Sequence, residues 1–171
     1  AGDLLYVVED SYDELGGSHY YDLFRFTGNR VPKVYPKKAK LIFGALSRAS
    51  SKGLIKAMHD CSEGGIGVAA AEMAFSGNLG AEIFLSEVPY ARNDFARDDF
   101  VLFSESNSRF LVEIAPEHKS EFENTLAGCA YGLIGQTIKP KQLIIKGVSG
   151  KTIINEDLSG LKESWQKPLR W

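Results

Sequence analysis

The stretch from residue 54 to residue 77, "LIKAMHDCSEGGIGVAAAEMAFSG", limits what this chain can fold into more than any other. Leu54 to Met58 is short and mostly apolar and reads as a strand. His59, Asp60, Ser62 and Glu63 then crowd together, and Gly64 and Gly65 follow directly. From Gly65 to Phe75 most residues are small or apolar. A helix built from them can approach a sheet or another helix closely, so it is expected to be buried. Asp60 and Ser62 read as capping residues for that helix, with Ser62 as the candidate N-cap. The alternative is a phosphate site, because a helix N-terminus offers free N–H groups and a partial positive charge. In that reading Gly64 and Gly65 admit a ligand to the backbone, and Asp60 meets a ribose hydroxyl or Mg2+.

The remaining elements set the fold class. Leu4 to Val8 reads as a buried strand, and Ser18 as the cap of a short helix carrying Tyr20 and Tyr21. Pro36 opens a helix with apolar residues at helical spacing, closed by Gly53. "AEIFL", "FVLF", "RFLVEI", "YGLIGQTI" and "QLIIKG" read as strands. Residues 86–99 read as a loop holding Glu87, Asp94, Asp98 and Asp99, and Pro116 opens an amphipathic helix. Asn155 or Asp157 starts a last helix reaching about Trp165. Strands and helices mix without strict alternation. The expected fold is α+β, a mixed, largely antiparallel sheet covered by helices.

Composition excludes several functions. A net charge of −2 gives no global basic field for nucleic acid or an anionic membrane. No apolar run approaches the roughly 20 residues of a membrane span. The first residues lack the basic and apolar regions of a signal peptide and enter a strand abruptly, as a piece of a longer chain would. Cys61 and Cys129 form no C-x-x-C pair and are expected as reduced thiols. His19, His59 and His118 show no zinc-ligand spacing. Spacing supports neither a Ser/His/Asp triad nor paired catalytic carboxylates. The glycines fit neither the phosphate loop ending in Lys-Ser/Thr nor the G-x-G-x-x-G fingerprint.

Two further polar stretches qualify as candidate sites. In "LFSESNSRF", residues 102–110, Glu105 can accept from a ligand hydroxyl and Arg109 can clamp an anion. The plainer reading is a polar turn with a surface Glu105–Arg109 ion pair worth less than about 1 kcal/mol. In "DELGGSHYY", Gly16, Gly17 and Ser18 repeat the glycine-then-cap theme, and a capped helix with core tyrosines explains them equally.

Taken in order, "DELGGSHYY", "VPKVYPKKAK", "HDCSEGGIGVAAAEMAFSGNLGAEIFLSEVP", "LFSESNSRFLVEI" and "IGQTI" resemble the C-terminal domain of phosphoribosylformylglycinamidine synthase, in its synthetase subunit of the small, multi-subunit type. The H-D-x-S-x-G-G element is similar across a wider superfamily. That superfamily includes aminoimidazole ribonucleotide synthetase, selenophosphate synthetase, thiamine-monophosphate kinase and a hydrogenase-maturation protein. "FSESNSRF" is far more specific to the synthase. The resemblance implies a fold like the C-terminal domain of aminoimidazole ribonucleotide synthetase, with residues 1–171 as one such domain of a longer chain.

It further implies a parent carbon–nitrogen ligase of purine biosynthesis, cytoplasmic and dependent on ATP and Mg2+. That enzyme converts formylglycinamide ribonucleotide to the amidine through a phosphorylated intermediate that ammonia displaces. The implied partners are the N-terminal ATP-binding domains of the same protein, a glutaminase subunit and a small accessory subunit. The family's catalytic histidine and most of its Mg2+ and ATP ligands lie in the N-terminal-type domains. The chain looks like the second of two C-terminal domains, where the pocket resembles an auxiliary nucleotide site. Asn107 follows Ser106 where the first half carries Gln. No catalytic residue and no metal ligand is assigned here, and the isolated chain is expected to be inert. The nucleotide- or substrate-binding candidates are Asp60, Ser62, Gly64, Gly65, Glu105, Ser106 and Arg109. Two alternatives stay open: a non-catalytic scaffold, or the C-terminal domain of another superfamily enzyme such as aminoimidazole ribonucleotide synthetase.

Overall fold

The computed structural model describes residues 1–91 and 97–170. Its centre is β1 (Leu4–Val8), an apolar run with neighbouring strands on both sides and helices over both faces. Leu5 and Val7 point into one core and Tyr6 and Val8 into the other, so the run is apolar throughout rather than alternating. The chain continues through α1 (His19–Asp22), α2 (Pro36–Ser51), β2 (Ile55–Asp60), α3 (Gly65–Gly77) and β3 (Gly80–Phe84). Next come α4 (Asp98–Phe103), β4 (Phe110–Ile114), α5 (Lys119–Thr125) and β5 (Tyr131–Ile138). It ends with β6 (Gln142–Lys146), β7 (Thr152–Asp157) and α6 (Leu158–Gln166).

Among the described residues seven strands form one sheet in the order β2-β4-β1-β5-β3-β6-β7. Every pairing is antiparallel except β3 with β6. The expected mixed, largely antiparallel sheet covered by helices is the one observed. Ile42, Leu46, Phe122 and Leu126 of α2, α5 and its end pack with Tyr6 and Val112 on one face. On the other, Ile66, Ala69 and Ala70 of α3 meet Leu5, Ile83, Leu102, Leu111 and Leu158. The small-residue helix is buried, as its composition requires. Among the described residues no helix is long and apolar enough to cross a membrane.

Several local expectations are corrected. "FVLF" is not a strand but the body of α4, because Asp98 and Asp99 favour a helix N-terminus and Val101 and Leu102 then fall on the buried side. Asp98 also accepts the Val148 N–H at 2.6 Å, tying α4 to the end of β6. The acidic stretch 86–99 is thus part 3-10 turn (Leu85–Glu87) and part helix, while Asp94 lies outside the described residues. Residues 152–157 form an edge strand that alternation does not announce, so Asn155 lies in β7 and the last helix starts after Asp157. A glycine turn, with the Gly150 N–H on Gly147 O at 2.9 Å, returns β7 to β6.

Candidate functional site

The sheet itself brings the two main candidate stretches together. Asp60, the last residue of β2, is registered opposite Phe110, the first of β4. The segments just beyond, 61–64 and 104–109, therefore lie side by side, and the Cys61 N–H donates to Arg109 O at 3.0 Å. Asp60, Ser62, Glu63, Glu105, Asn107 and Ser108 all contribute to one open cleft of about 470 Å³. A second cleft of about 820 Å³ shares Asp60, Ser62 and Glu63 and adds His59, Glu72 and Trp165.

Arg109 takes no part in that surface as an exposed clamp. It is 1% exposed, and its side chain is spent on the chain's own acceptors. Nε donates to Ser106 O at 3.1 Å, Nη1 to Ser11 Oγ at 2.6 Å, and Nη2 to Ser104 O. No ion pair joins it to Glu105 among the described residues. A sealed guanidinium needs partners for its donors, and this turn supplies two carbonyl oxygens and a hydroxyl, one to each nitrogen. Burial pulls its proton affinity below the usual arginine value, and the charges of Glu14, Glu105 and Glu9 act against that pull. Ser106 is likewise internal: its Oγ accepts the Tyr12 N–H at 3.1 Å.

Neither Ser62 nor Asp60 caps α3. The N-cap is Gly64, in the left-handed region at φ 73°, and no side chain of its own segment caps the helix. The missing acceptor comes from across the cleft. Glu105 Oε1 accepts the Gly64 N–H at 2.9 Å and the His19 N–H at 3.2 Å, joining the starts of α3 and α1. A carboxylate at a helix N-terminus is favoured by the same partial charge that favours phosphate. The chain thus places its own anion at the corner where the paired glycines suggested a ligand's. Gly65, at φ 61°, turns inward; a Cβ there would come within 2.8 Å of Leu102 O.

Asp60 and Ser62 remain on the exposed wall. Ser62 Oγ donates to Asp60 Oδ2, and this bond holds the Asp60 carboxyl below the usual carboxylate range. Glu63 projects beside them, its side chain 80% exposed. This rim presents acceptors, and among the described residues the one cation lining the smaller cleft, Arg109, is buried. It therefore suits hydroxyl, amide or cationic groups better than a bare triphosphate. Among the described residues no group of three or more His, Cys, Asp or Glu is placed to hold a metal ion.

Sequence reasoning missed Ser11 and gave no role to Ser104 and Glu14 within the stretches it singled out, though all three are inner supports of this turn. Ser11 and Ser104 feed Arg109 as described, and Glu14 O accepts the Glu105 N–H at 3.2 Å. Their signal was weak, since single serines near turns are commonplace. It also missed that Glu72, on the helical face above Val68, reaches His59 Nε2 at 3.0 Å.

Sheet order and cleft together define an α+β domain in which a loop carboxylate stakes a strand-to-helix glycine corner beside an open acidic rim. The family model "AIR synthase related protein, C-terminal domain" matches residues 1–147. The chain belongs to that family. It is 36% identical over 165 residues to phosphoribosylformylglycinamidine synthase subunit PurL of Methanocaldococcus jannaschii, covering 96% of this chain and 22% of the relative. The subunit PurL of Moorella thermoacetica is 33% identical over 171 residues, covering 98% and 22% respectively. The chain thus spans about a fifth of the length of these relatives. Thermotoga maritima PurL complexed with FGAR has the same fold, with a TM-score of 0.80 at 20% identity over 94% of this chain and 28% of that one. The hydrogenase maturation protein HypE of E. coli shares it at a TM-score of 0.67 and 19% identity, covering 92% of this chain and 50% of that one.

Proposed function

We propose that residues 1–171 form one C-terminal synthetase-type domain of a cytoplasmic ligase that converts formylglycinamide ribonucleotide to formylglycinamidine ribonucleotide. What carries this reading is the likeness to PurL subunits along nearly the whole chain, together with the convergence of Asp60, Ser62 and Glu105 on one cleft. In the parent enzyme ATP and Mg2+ activate an amide oxygen as a leaving group for ammonia. This chain supplies no phosphoryl-transfer machinery of its own. Its part is to offer carboxylate and hydroxyl acceptors at a domain face, where a nucleotide or ribonucleotide hydroxyl is recognised.

An exposed apolar surface supports the presence of neighbours. Leu23 and Phe24 are 80% and 66% exposed, and Phe26, Val31 and Val34 of the α1–α2 connection are exposed as well. Clustered apolar exposure on this scale marks an interaction surface. The partners proposed are the ATP-binding domains of the same protein, with the glutaminase and small accessory subunits completing the complex.

The test is ATP-dependent amidine formation with ammonia. The whole protein containing this chain is expected to turn over, and the 171-residue protein alone is expected to be silent. Turnover by the isolated chain would overturn the assignment of chemistry to other domains. One observation favours a pure scaffold as second reading, namely that Glu105 already fills the α3 corner. Titration with ADP and Mg2+, followed by amide shifts at Asp60, Ser62 and Glu63, separates the two. Saturable shifts favour a retained pocket, and none in the whole protein favours the scaffold.

A further inference from the structure

The helix α3 starts at the cleft and ends, about 18 Å further along its axis at roughly 1.5 Å per residue, over a second cavity. This pocket holds about 140 Å³. Its floor is Leu5, Ile83 and Leu111, all buried strand residues, and its roof is Ala70 and Ala74 of α3. The short side chains that let α3 lie close to the sheet do not fill the space under its C-terminal half. Protein interiors hold few voids larger than a water molecule, and an apolar cavity of about 150 Å³ admits a molecule the size of benzene. One side of the pocket is polar. Glu113, paired in register with Leu5 across β4 and β1, lines it together with Thr137. Asp3 stands behind them: its N–H donates to Thr137 Oγ1 at 3.0 Å, and its Oδ1 accepts from Lys56 Nζ at 2.7 Å.

We propose that this pocket binds a small organic cation, an ammonium group carrying a short branched alkyl chain or a single aromatic ring, with its apolar part on Leu5, Ile83 and Leu111 and its N–H groups on the Glu113 carboxylate. Apolar walls with one placed polar group are what fixes the orientation of a small ligand. The charges on the polar side favour a cation over an anion or a neutral alcohol. Two carboxyl groups, Asp3 and Glu113, share that side, and Lys56 is already drawn to Asp3. Burial pushes the Glu113 carboxyl above its ordinary range, and its hydrogen bond with Asp3 and the charge of Asp3 push the same way. Asp3 is pushed up by burial too, yet hydrogen bonds with Lys56 and Glu113 leave it below its usual value. The chain's N-terminal amine acts on both more weakly. Glu113 is thus the carboxyl short of a counter-charge, and an ammonium in the pocket supplies one where partial burial makes it count. The inference goes beyond the proposed function and is independent of it, since the pocket shares none of its lining with either cleft.

The test is an NMR titration of the 171-residue protein with isobutylammonium chloride at neutral pH, followed at the methyl groups of Leu5, Met73, Ile83 and Leu111. Shifts at these methyls that saturate in the millimolar range are expected, as the size of the ligand allows. Isobutanol, of the same shape and uncharged, is expected to bind about tenfold more weakly. Glu113→Gln is expected to remove that preference, weakening the ammonium and leaving the alcohol unchanged. Two further variants close the space. Gly77 lines the pocket and a Cβ built on it meets no atom within 4 Å, so Gly77→Leu adds bulk without displacing the chain. Ala74→Leu extends a side chain already in the roof. Loss of the shifts in either folded variant supports the site, and unchanged shifts in both overturn it. Shifts that fail to saturate by about 100 mM in the unmodified protein also overturn it. So does equal binding of the ammonium and the alcohol.

Discussion

Ser104–Arg109 and Asp60–Glu63 face each other across one cleft and draw on the same kinds of residue, but their polar atoms are employed differently. In the first, the two charged side chains are turned onto the chain itself: Arg109 onto Ser11, Ser104 and Ser106, and Glu105 onto Gly64 and His19. In the second, Asp60 and Glu63 keep more than half of their side-chain surface in solvent. The buried turn is sustained by a partner for each guanidinium nitrogen, since an unmatched buried charge would cost several kcal/mol. The exposed rim has no such obligation and is free to meet something else. Burial, rather than residue type, separates the part that builds the site from the part that can use it.

The harshest way to break this contrast is Arg109→Met. It strands the carbonyl oxygens of Ser104 and Ser106 and leaves Glu14 and Glu105 without their buried counter-charge. The expected loss is about 3–5 kcal/mol in urea unfolding. A loss under about 1 kcal/mol would mean that the turn does not depend on its guanidinium. Gly65→Ala comes next. At φ 61° an added Cβ is strained and also presses on the backbone at the end of α4, so about 2–3 kcal/mol should be lost by the same measurement.

Glu105 sharpens the comparison, because it is held by the buried turn yet reaches into the cleft. Glu105→Ala leaves two N–H groups unmatched and should cost about 1–3 kcal/mol. Glu105→Gln keeps an acceptor and should recover most of that. Equal losses in both variants would show that charge at the α3 start matters more than the hydrogen bonds.

The smallest effect is expected on the rim. Asp60→Asn should stay within about 0.5 kcal/mol of the parent at neutral pH while abolishing any nucleotide-induced shifts there. Its acid behaviour has a definite sign. The folded carboxyl is held below its ordinary value by the Ser62 hydroxyl, so its contribution is present above the ordinary carboxylate range, about pH 4, and is lost as pH falls through the folded value. Thermal unfolding between about pH 3 and pH 5 should therefore be slightly less acid-sensitive in Asp60→Asn. An unchanged acid profile would mean that the Ser62 bond contributes nothing to folding.

Much of the fold is legible in the residues. The apolar run Leu4–Val8, Pro36 opening α2, Ser18 capping α1 through the Tyr21 N–H at 3.2 Å, and the small-residue α3 follow from local pattern. Two elements were not legible for identifiable reasons. Residues 100–103 carry a β-prone apolar run that α4 buries from one side, so packing overrode propensity. Residues 152–157 form an exposed edge strand whose partner, β6, supplies the order that alternation does not. The candidate site was legible as a set of segments. Which of its residues face outward was not.

The order of amino acids by itself determined where the chain turns, which helix must be buried, and that polar residues gather at two points along it. Those properties depend on neighbours within a few positions, through backbone freedom, capping and periodicity. Only the tertiary structure decided that Arg109 is sealed inside, that Glu105 rather than Ser62 serves the start of α3, and that His59 and Trp165 share one carboxylate, that of Glu72. The pairing of β2 with β4 brings those groups together, and which donor meets which acceptor is settled by distances that no single segment specifies.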